Sequence, residues 1–319
     1  MVGADQEVLA AAFGWLRINQ RVVLVTVAHT YGSSPRPAGS LLAMNERGDW
    51  VGAVSGGCVE SHLVKRVQAA WPSQPQLISL GTTPEDVAQL GLPCGSRLEL
   101  LIEPLDNMAS VRSLLRAITA RQTLARRVCL ASGEVSLHPV SRTQEFSFDT
   151  DHLEKVFGPQ WRVLLIGAGQ LSRFVAQMAV ALDYEVVVCE PRIEYGRQWD
   201  VAGTRLDNSM PDEAAAGARD ARSAVLALTH DPELDDLALS VALPSDAFYV
   251  GALGSVASNA ARCKRLAWLG VDSKAIERLH GPVGLPIGSK TPGEIAVAIL
   301  AGLTAVRRGV QFPPVPLAP

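Results

Sequence analysis

Apolar residues recur at helical spacing through Val8, Leu9, Ala12, Phe13 and Leu16, so residues 5–19 read as an amphipathic helix with Asp5 as its cap. The next run, 21–28 (RVVLVTVA), is apolar without alternation, the pattern of a strand covered on both faces. A polar loop rich in Gly and Pro fills 30–39, and two short strands, 40–44 and 50–54, flank the turn 45–49 as a hairpin. Gly56-Gly57 hands the chain to a helix striped by Val59, Leu63, Val64 and Val67, which stops near Trp71-Pro72 and places Cys58 in or just before its first turn. The pattern then gives a strand at 76–80, a short helix beginning at Thr83-Pro84-Glu85-Asp86 and a turn at Cys94-Gly95-Ser96. A strand at 97–105, a helix at 107–121 and a strand at 126–131 complete a first domain, 1–131. Residues 132–160 are weakly periodic and broken by Gly133, Pro139, Gly158 and Pro159, which predicts a linker region before a second domain at 161–319.

In that second domain the pattern becomes strand and helix in alternation. Strands are expected at 162–166, 185–189, 223–229 and 247–252, and helices at 170–182, 231–243, 256–269 and 292–308. Strands parted by helices of this length make a parallel sheet wound on both faces. The expected class is therefore α/β: an N-terminal α/β domain with cysteine-bearing glycine turns, followed by a Rossmann-like, doubly wound domain. The last helix is strongly signed, because Thr291-Pro292-Gly293-Glu294 combines an N-cap, a proline in the first turn and a capping-box glutamate.

Composition narrows the function. The 319 residues are 48% hydrophobic and 19% charged, enough for two packed cores. A formal net charge of −3 without a long run of Lys and Arg leaves no footprint for nucleic acid or an anionic membrane. The most apolar stretch, 295–306, is short for a bilayer span and interrupted by Gly302 and Thr304, and the chain opens without the layout of a signal peptide, so a cytoplasmic location is expected. Five cysteines at irregular spacing predict reduced thiols rather than a disulfide framework. Without CxxC, HExxH or a His-rich cluster, a closed zinc site is not expected.

Two groups of residues carry candidate chemistry. In the second half, the buried run Val163-Leu164-Leu165-Ile166 leads into Gly167-Ala168-Gly169-Gln170, a turn that lets backbone approach a pyrophosphate at a helix N-terminus. Glu190 stands at the acidic position expected after the second strand, Arg192 just beyond it is a candidate phosphate contact, and Ser172 replaces the third glycine of the pattern. A Rossmann-shaped domain with an empty crevice is the alternative. In the first half, Cys58 follows two glycines at a helix start, which favours thiolate and leaves room for a bulky ligand, and Cys94 has Gly95 on its far side with Pro93 fixing the approach; glycine beside each makes the thiol accessible. Such sulfur suits molybdenum, copper or a sulfur adduct; a small core residue is the alternative for both. Ser33, Ser34 and Arg36 put hydroxyls and a guanidinium on one loop, suited to phosphate or a polar heterocycle, or simply a solvated turn. His230-Asp231 ends a parallel strand, where crevices form, and Asp231 is expected to cap the next helix. His280 is similarly placed in a loop, while Cys129, Cys189 and Cys263 read as structural. No serine or cysteine nucleophile has a predictable His partner, so no case for a hydrolase arises.

Five motifs together carry a resemblance: 32–39 (GSSPRPAG), 56–60 (GGCVE), 101–105 (LIEPL), 249–255 (YVGALGS) and 280–285 (HGPVGL). Across about residues 20–309 the chain resembles the XdhC/CoxI family of maturation factors for molybdenum hydroxylases. The resemblance implies an accessory protein without turnover. It would bind molybdenum cofactor (molybdopterin), guard it while a cysteine desulfurase exchanges an oxo ligand for sulfur, and deliver it to the large subunit of a xanthine dehydrogenase or aldehyde oxidoreductase. Carried over, Cys58 and Cys94 are candidate metal or sulfur contacts. Gly56, Gly57, Ser33, Ser34 and Arg36 would line the cofactor, and Gly167, Gly169, Gln170, Glu190 and Arg192 would seat a nucleotide, with the cytosine dinucleotide form of the cofactor as one candidate. Pro93 and Ser96 around Cys94, Pro286 in the C-terminal loop and His230-Asp231-Pro232 depart from the family pattern. The rival expectation is an NAD(P)-dependent oxidoreductase, and a third is a scaffold docking desulfurase to client. A homodimer is plausible as the commonest soluble assembly.

Overall fold

The run that is apolar on both faces becomes the spine of the first half. The computed structural model describes residues 3–32, 36–57, 59–81, 97–140 and 145–310, and the chain divides into two units, 2–159 and 160–319. In the first unit β1 (Val22–Tyr31), β2 (Leu41–Asn45), β3 (Trp50–Gly52), β4 (Gln76–Leu80) and β5 (Arg97–Pro104) form an antiparallel sheet ordered β3-β2-β1-β5-β4. Around it lie α1 (Ala4–Arg17), α2 (Glu60–Ala69) and α3 (Met108–Thr119). Val23, Val25 and Val27 share a core with Leu63 and Val67 of α2. Val22 and Leu24 share the opposite core with Val8, Leu9 and Ala12 of α1 and Val111, Leu114 and Ile118 of α3. Successive side chains of a strand point to opposite faces, and both faces are covered, so the run cannot alternate. Helix α1 starts at Ala4 behind Gly3 with no side-chain cap; the expected cap, Asp5, instead pairs with Lys155 Nζ at 2.9 Å.

Residues 132–160 differ from the linker expected of them. β6 (Leu124–Cys129), β7 (Val135–Pro139), β8 (Phe146–Phe148) and β9 (His152–Phe157) form a second antiparallel sheet ordered β7-β6-β9-β8, so this stretch carries three strands of the first unit. Gly133, with φ +74°, turns the chain between β6 and β7, and Pro139 ends β7. The breakers mark strand ends, and strands of five, three and six residues give too little alternation to read in sequence. A buried ion pair ties the two sheets together: Arg126 of β6 donates from Nη1 and Nη2 to the two oxygens of Glu103 of β5, each at 2.8 Å.

In the second unit β10 (Arg162–Ile166), β11 (Glu185–Cys189), β12 (Thr204–Asp207), β13 (Ser223–Ala227), β14 (Tyr249–Ala252) and β15 (Leu279–His280) run parallel in the order β12-β11-β10-β13-β14-β15. The helices are α4 (Gln170–Ala181), α5 (Ile193–Gly196), α6 (Pro211–Ala216), α7 (Pro232–Ala242), α8 (Val256–Trp268), α9 (Ser273–Ile276) and α10 (Pro292–Arg307). Val163 and Leu165 share a core with Val175 and Ala179 of α4 and Ile299 and Leu303 of α10. Leu164 and Ile166 share the other with Ala238, Leu239 and Ala242 of α7. The capping box of α10 is formed, with Glu294 Oε2 accepting from Thr291 N–H at 2.8 Å. The strand order reverses between β10 and β13, and that is where a doubly wound sheet opens a crevice at its carboxyl edge. Among the described residues no helix is long and apolar enough to cross a membrane.

Candidate functional site

The chain passes from β10 into α4 through Gly167-Ala168-Gly169, and the two glycines are glycine for different reasons. Gly167 has φ +100°, and a Cβ there would stand 2.7 Å from Thr229 Cγ2, so backbone conformation and packing both demand it. Gly169 has φ −79°, and a Cβ would meet nothing within 4 Å. Its missing side chain leaves space before α4 that the protein itself does not fill. Gly169 is the N-cap and gives no side-chain hydrogen bond, so the first amides of α4 keep their donors for another acceptor.

A cavity of about 570 Å³ lies in front of this turn. It brings together Gly167, Gly169, Gln170 and Arg192 of the sequence-predicted residues, and His230 and Asp231 from the end of β13 join them. Tyr195, Thr229 and Leu253 also line it; Leu253 belongs to the 249–255 motif, and no motif announced Tyr195 or Thr229. Asp231 caps α7, accepting from Glu233 N–H at 3.0 Å. Behind the rim, Asp235 accepts from Thr229 N–H and Oγ1 at 3.2 and 2.8 Å, and from Arg262 Nη2 at 2.9 Å. Arg262 Nη1 donates in turn to Leu253 O at 2.9 Å, so one buried network holds both Thr229 and Leu253 at the cavity edge. Burial pushes the Asp235 carboxyl above its ordinary range despite the Thr229 bonds and the Arg262 charge.

Glu190 occupies the acidic position after β11 but stands behind the cavity wall, with 0% exposure. Its Oε2 accepts from Ala168 N–H at 3.0 Å and Arg192 Nη2 at 2.9 Å; Oε1 accepts from Arg192 Nε at 2.7 Å and Arg192 N–H at 3.2 Å. Burial alone would raise this carboxyl, and the bonds from Arg192 and Ala168 outweigh it, holding the group below the usual carboxylate range. The Arg192 guanidinium lies over the Tyr195 ring, 4.3 Å from its centroid, with its side chain 33% exposed.

The first unit holds a second feature at the start of α2. Glu60, 2% exposed, turns its carboxylate back under the glycine loop. Oε1 accepts from Val54 N–H and Ser55 N–H at 2.9 Å each, and Oε2 from Ser55 Oγ at 2.6 Å, Gly57 N–H at 3.0 Å and Val59 N–H at 3.2 Å. Burial raises this carboxyl, but the hydrogen bonds from Ser55 and Val54 prevail and its pKa is lowered. The amides of Ser55, Gly57 and Val59 converge as in an anion-binding concavity, and the protein supplies the anion from its own chain. Gly56 (φ +83°) and Gly57 (φ +119°) are exposed, while Val59 is fully buried. Glu60 closes the GGCVE motif, and nothing in the motif's spacing assigns it this role.

Ser33, Ser34, Cys58 and Cys94 lie outside the described residues; Arg36 is described and exposed. Cys189 is buried, donates to Ser209 O at 3.4 Å, and burial lifts its pKa to about 12, so it is a core residue. Cys129 ends β6, half-buried, with its thiol pKa lowered by hydrogen bonds from Ser132. His280 stacks on Tyr249, ring centroids 4.1 Å apart and 4° from parallel, and burial lowers its pKa. Among the described residues one group has metal-ligand character, Asp149, Asp151 and His152, and there Asp149 already accepts from the amides of the other two.

Strand order, glycine turn and switch-point cavity define the second unit as a Rossmann-type fold, preceded in the chain by an antiparallel unit with an exposed glycine loop. The chain belongs to the XdhC/CoxI family: the XdhC Rossmann domain model matches residues 163–303, and the XdhC and CoxI family model matches residues 15–81. It is 25% identical over 302 residues to the molybdenum cofactor insertion chaperone PaoD of Escherichia coli strain K12, covering 94% of this chain and 88% of that protein. It is 26% identical to a protein of Bacillus subtilis strain 168 described as a probable xanthine dehydrogenase subunit, covering 92% of this chain and 96% of that protein. A crystal structure described as a xanthine dehydrogenase from Bacillus halodurans shares the fold, with a TM-score of 0.71, 22% identity and coverage of 97% of this chain and 98% of that one.

Proposed function

We propose that this chain is an accessory protein that takes molybdenum cofactor as its cargo and passes it to an enzyme of xanthine dehydrogenase type. The observation that carries the reading is the extent of likeness to an insertion chaperone, which runs over 94% of this chain and so takes in both units. In this reading Cys58 and Cys94 offer thiolate, a soft ligand suited to molybdenum or to sulfur in transit. A Cβ on Gly57 would meet nothing within 4 Å, which suits a bulky ligand at this loop, and Glu60 fixes the loop. The helix start behind Gly169 and the Arg192 guanidinium take the phosphates of a dinucleotide form of the cofactor, for which we propose the cytosine dinucleotide. Sulfuration by a cysteine desulfurase while the cargo is held, and delivery to the large subunit of a molybdenum hydroxylase in the cytoplasm, complete the proposal. Holding must be firm yet weaker than the client's own site, which places affinity near micromolar, about 8 kcal/mol.

The test is to purify the full chain from a host that makes the cofactor, count molybdenum, and identify by mass the pterin released on denaturation. Bound molybdenum-pterin, together with activation of a cofactor-free hydroxylase, is the expected result. Protein free of both pterin and molybdenum that also fails to activate the client overturns the reading.

A further inference from the structure

Dinucleotide-binding folds place an acid after the second strand to accept a ribose hydroxyl. Glu190 stands there, and its carboxylate is already filled. Ala168 N–H, Arg192 N–H, Arg192 Nε and Arg192 Nη2 occupy its two oxygens at 2.7–3.2 Å, about the four acceptor positions a carboxylate has. Arg192 lines the cavity and Glu190 does not. Oε2 of Glu190 bridges Arg192 Nη2 and the Ala168 amide, so the cation stands one shared oxygen away from the glycine turn. One edge of the guanidinium is fixed by Glu190 and one face by Tyr195, while Nη1 has no hydrogen-bond partner among the described residues. A fork held on an edge and a face aims its remaining donors in one direction, the arrangement that recognises phosphate. Gly169 leaves open space next to it, and α4 contributes uncapped amides. Asp231, the acidic residue on the cavity wall, caps α7 through one oxygen, and its charge also acts on Arg192.

We infer that the cavity reads the diphosphate of a nucleotide and not its sugar: Arg192, positioned by Glu190, and the start of α4 hold the two phosphates, and the ribose hydroxyls go unread. The inference rests on the proposed function only in taking this cavity as the seat of a nucleotide end, and it specifies which part of that nucleotide is recognised. It separates this site from NAD-type recognition, in which the acid selects a free ribose diol.

Titration calorimetry on the full chain with CDP, 2′-deoxy-CDP, CMP and cytidine tests it. CDP and 2′-deoxy-CDP are expected to bind within about two-fold of each other, CMP at least about ten-fold more weakly than CDP, and cytidine more weakly still, given the strength of charge-assisted bonds. Arg192→Lys keeps the charge but loses the two-point fit to Glu190, and is expected to lose most of the preference for CDP over CMP. Arg192→Ala alone strands a buried carboxylate, so the double variant Glu190→Gln/Arg192→Ala is the better control; it is expected to keep its circular dichroism spectrum and to bind CDP and CMP alike. A ten-fold loss on removing the 2′-hydroxyl, or equal affinity for CDP and CMP in the wild type, overturns the inference while leaving the nucleotide seat standing. If none of the probes binds, inference and seat fail together, and molybdenum counted on the same preparation decides separately whether the cargo reading survives.

Discussion

Glu60 grips Ser55 twice, taking its amide at 2.9 Å and its hydroxyl at 2.6 Å, and in doing so bends the glycine loop over a buried carboxylate. Glu60→Gln replaces one acceptor oxygen with an NH2 group that faces donors, and removes the charge. Hydrogen bonds to a charged group each contribute about 1.5–3 kcal/mol, so a net loss of about 2–3 kcal/mol is expected. Thermal denaturation measures it, and bound molybdenum is expected to fall with it. Wild-type stability in Glu60→Gln would show that the loop is held by something else.

Glu60 and Glu190 also set an acid limit. Both carboxyls titrate below their ordinary value in the folded chain, through hydrogen bonds that overcome burial. A folded pKa below the unfolded one gives stability that is complete above the unfolded value, near pH 4.3, and is lost as pH falls through the folded value. Urea unfolding is therefore expected to show no contribution from these two groups to any pH dependence between about pH 6 and 7, and a fall below about pH 4. Glu60→Gln should make that acid limb shallower; an unchanged slope would remove Glu60 from the account.

Gly167 and Gly169 allow a sharper separation of fold from site. Gly167→Ala forces a side chain onto φ +100° and against Thr229 Cγ2 at 2.7 Å, and is expected to cost about 1–3 kcal/mol of stability. Gly169→Ala meets no atom within 4 Å at φ −79°, so it should cost only the ordinary preference of an N-cap for glycine over alanine, about 0.5–1 kcal/mol. Its methyl group nevertheless enters the space a ligand would use. Loss of CDP binding in Gly169→Ala with a smaller loss of thermal stability than in Gly167→Ala is the expected outcome, and retained binding would count against a ligand at that turn.

The parts of the fold legible in sequence are those whose physics is local. β1 and β10 are buried on both faces, so their apolar runs announce strands; β12, read as Thr204-Arg205-Leu206-Asp207, and the two-residue β15 are edge elements with no such run. Gly167, Gly169, Gln170 and Arg192 were legible as candidates because they sit at successive strand ends, and all four line the cavity. Tyr195, Thr229 and Leu253 reach the same cavity only through strand order, which spacing does not encode. Glu190 was visible as an acid, but the direction of its carboxylate, toward Arg192 and away from the cavity, depends on side-chain geometry. Glu60 was hidden for the same reason: a glutamate in a helix's first turn reads as a dipole partner until its side chain is seen to fold back.

Arg126 and Glu103 illustrate a further class that sequence cannot pair, since 23 residues separate two charges that meet in the interior. Their side chains are 5% and 2% exposed, so neither is relieved by water when the other is removed. Glu103→Ala should cost about 3–5 kcal/mol, because it leaves a guanidinium buried without its counter-charge. Replacing both, as Glu103→Leu with Arg126→Met, removes the stranded charge and keeps the volume, and is expected to cost little or to stabilise. Urea unfolding of the single and double variants completes the cycle. A double variant as unstable as the single would mean that the pair contributes more than it costs to bury, and that the two sheets of the first unit depend on the ion pair itself rather than on the packing around it.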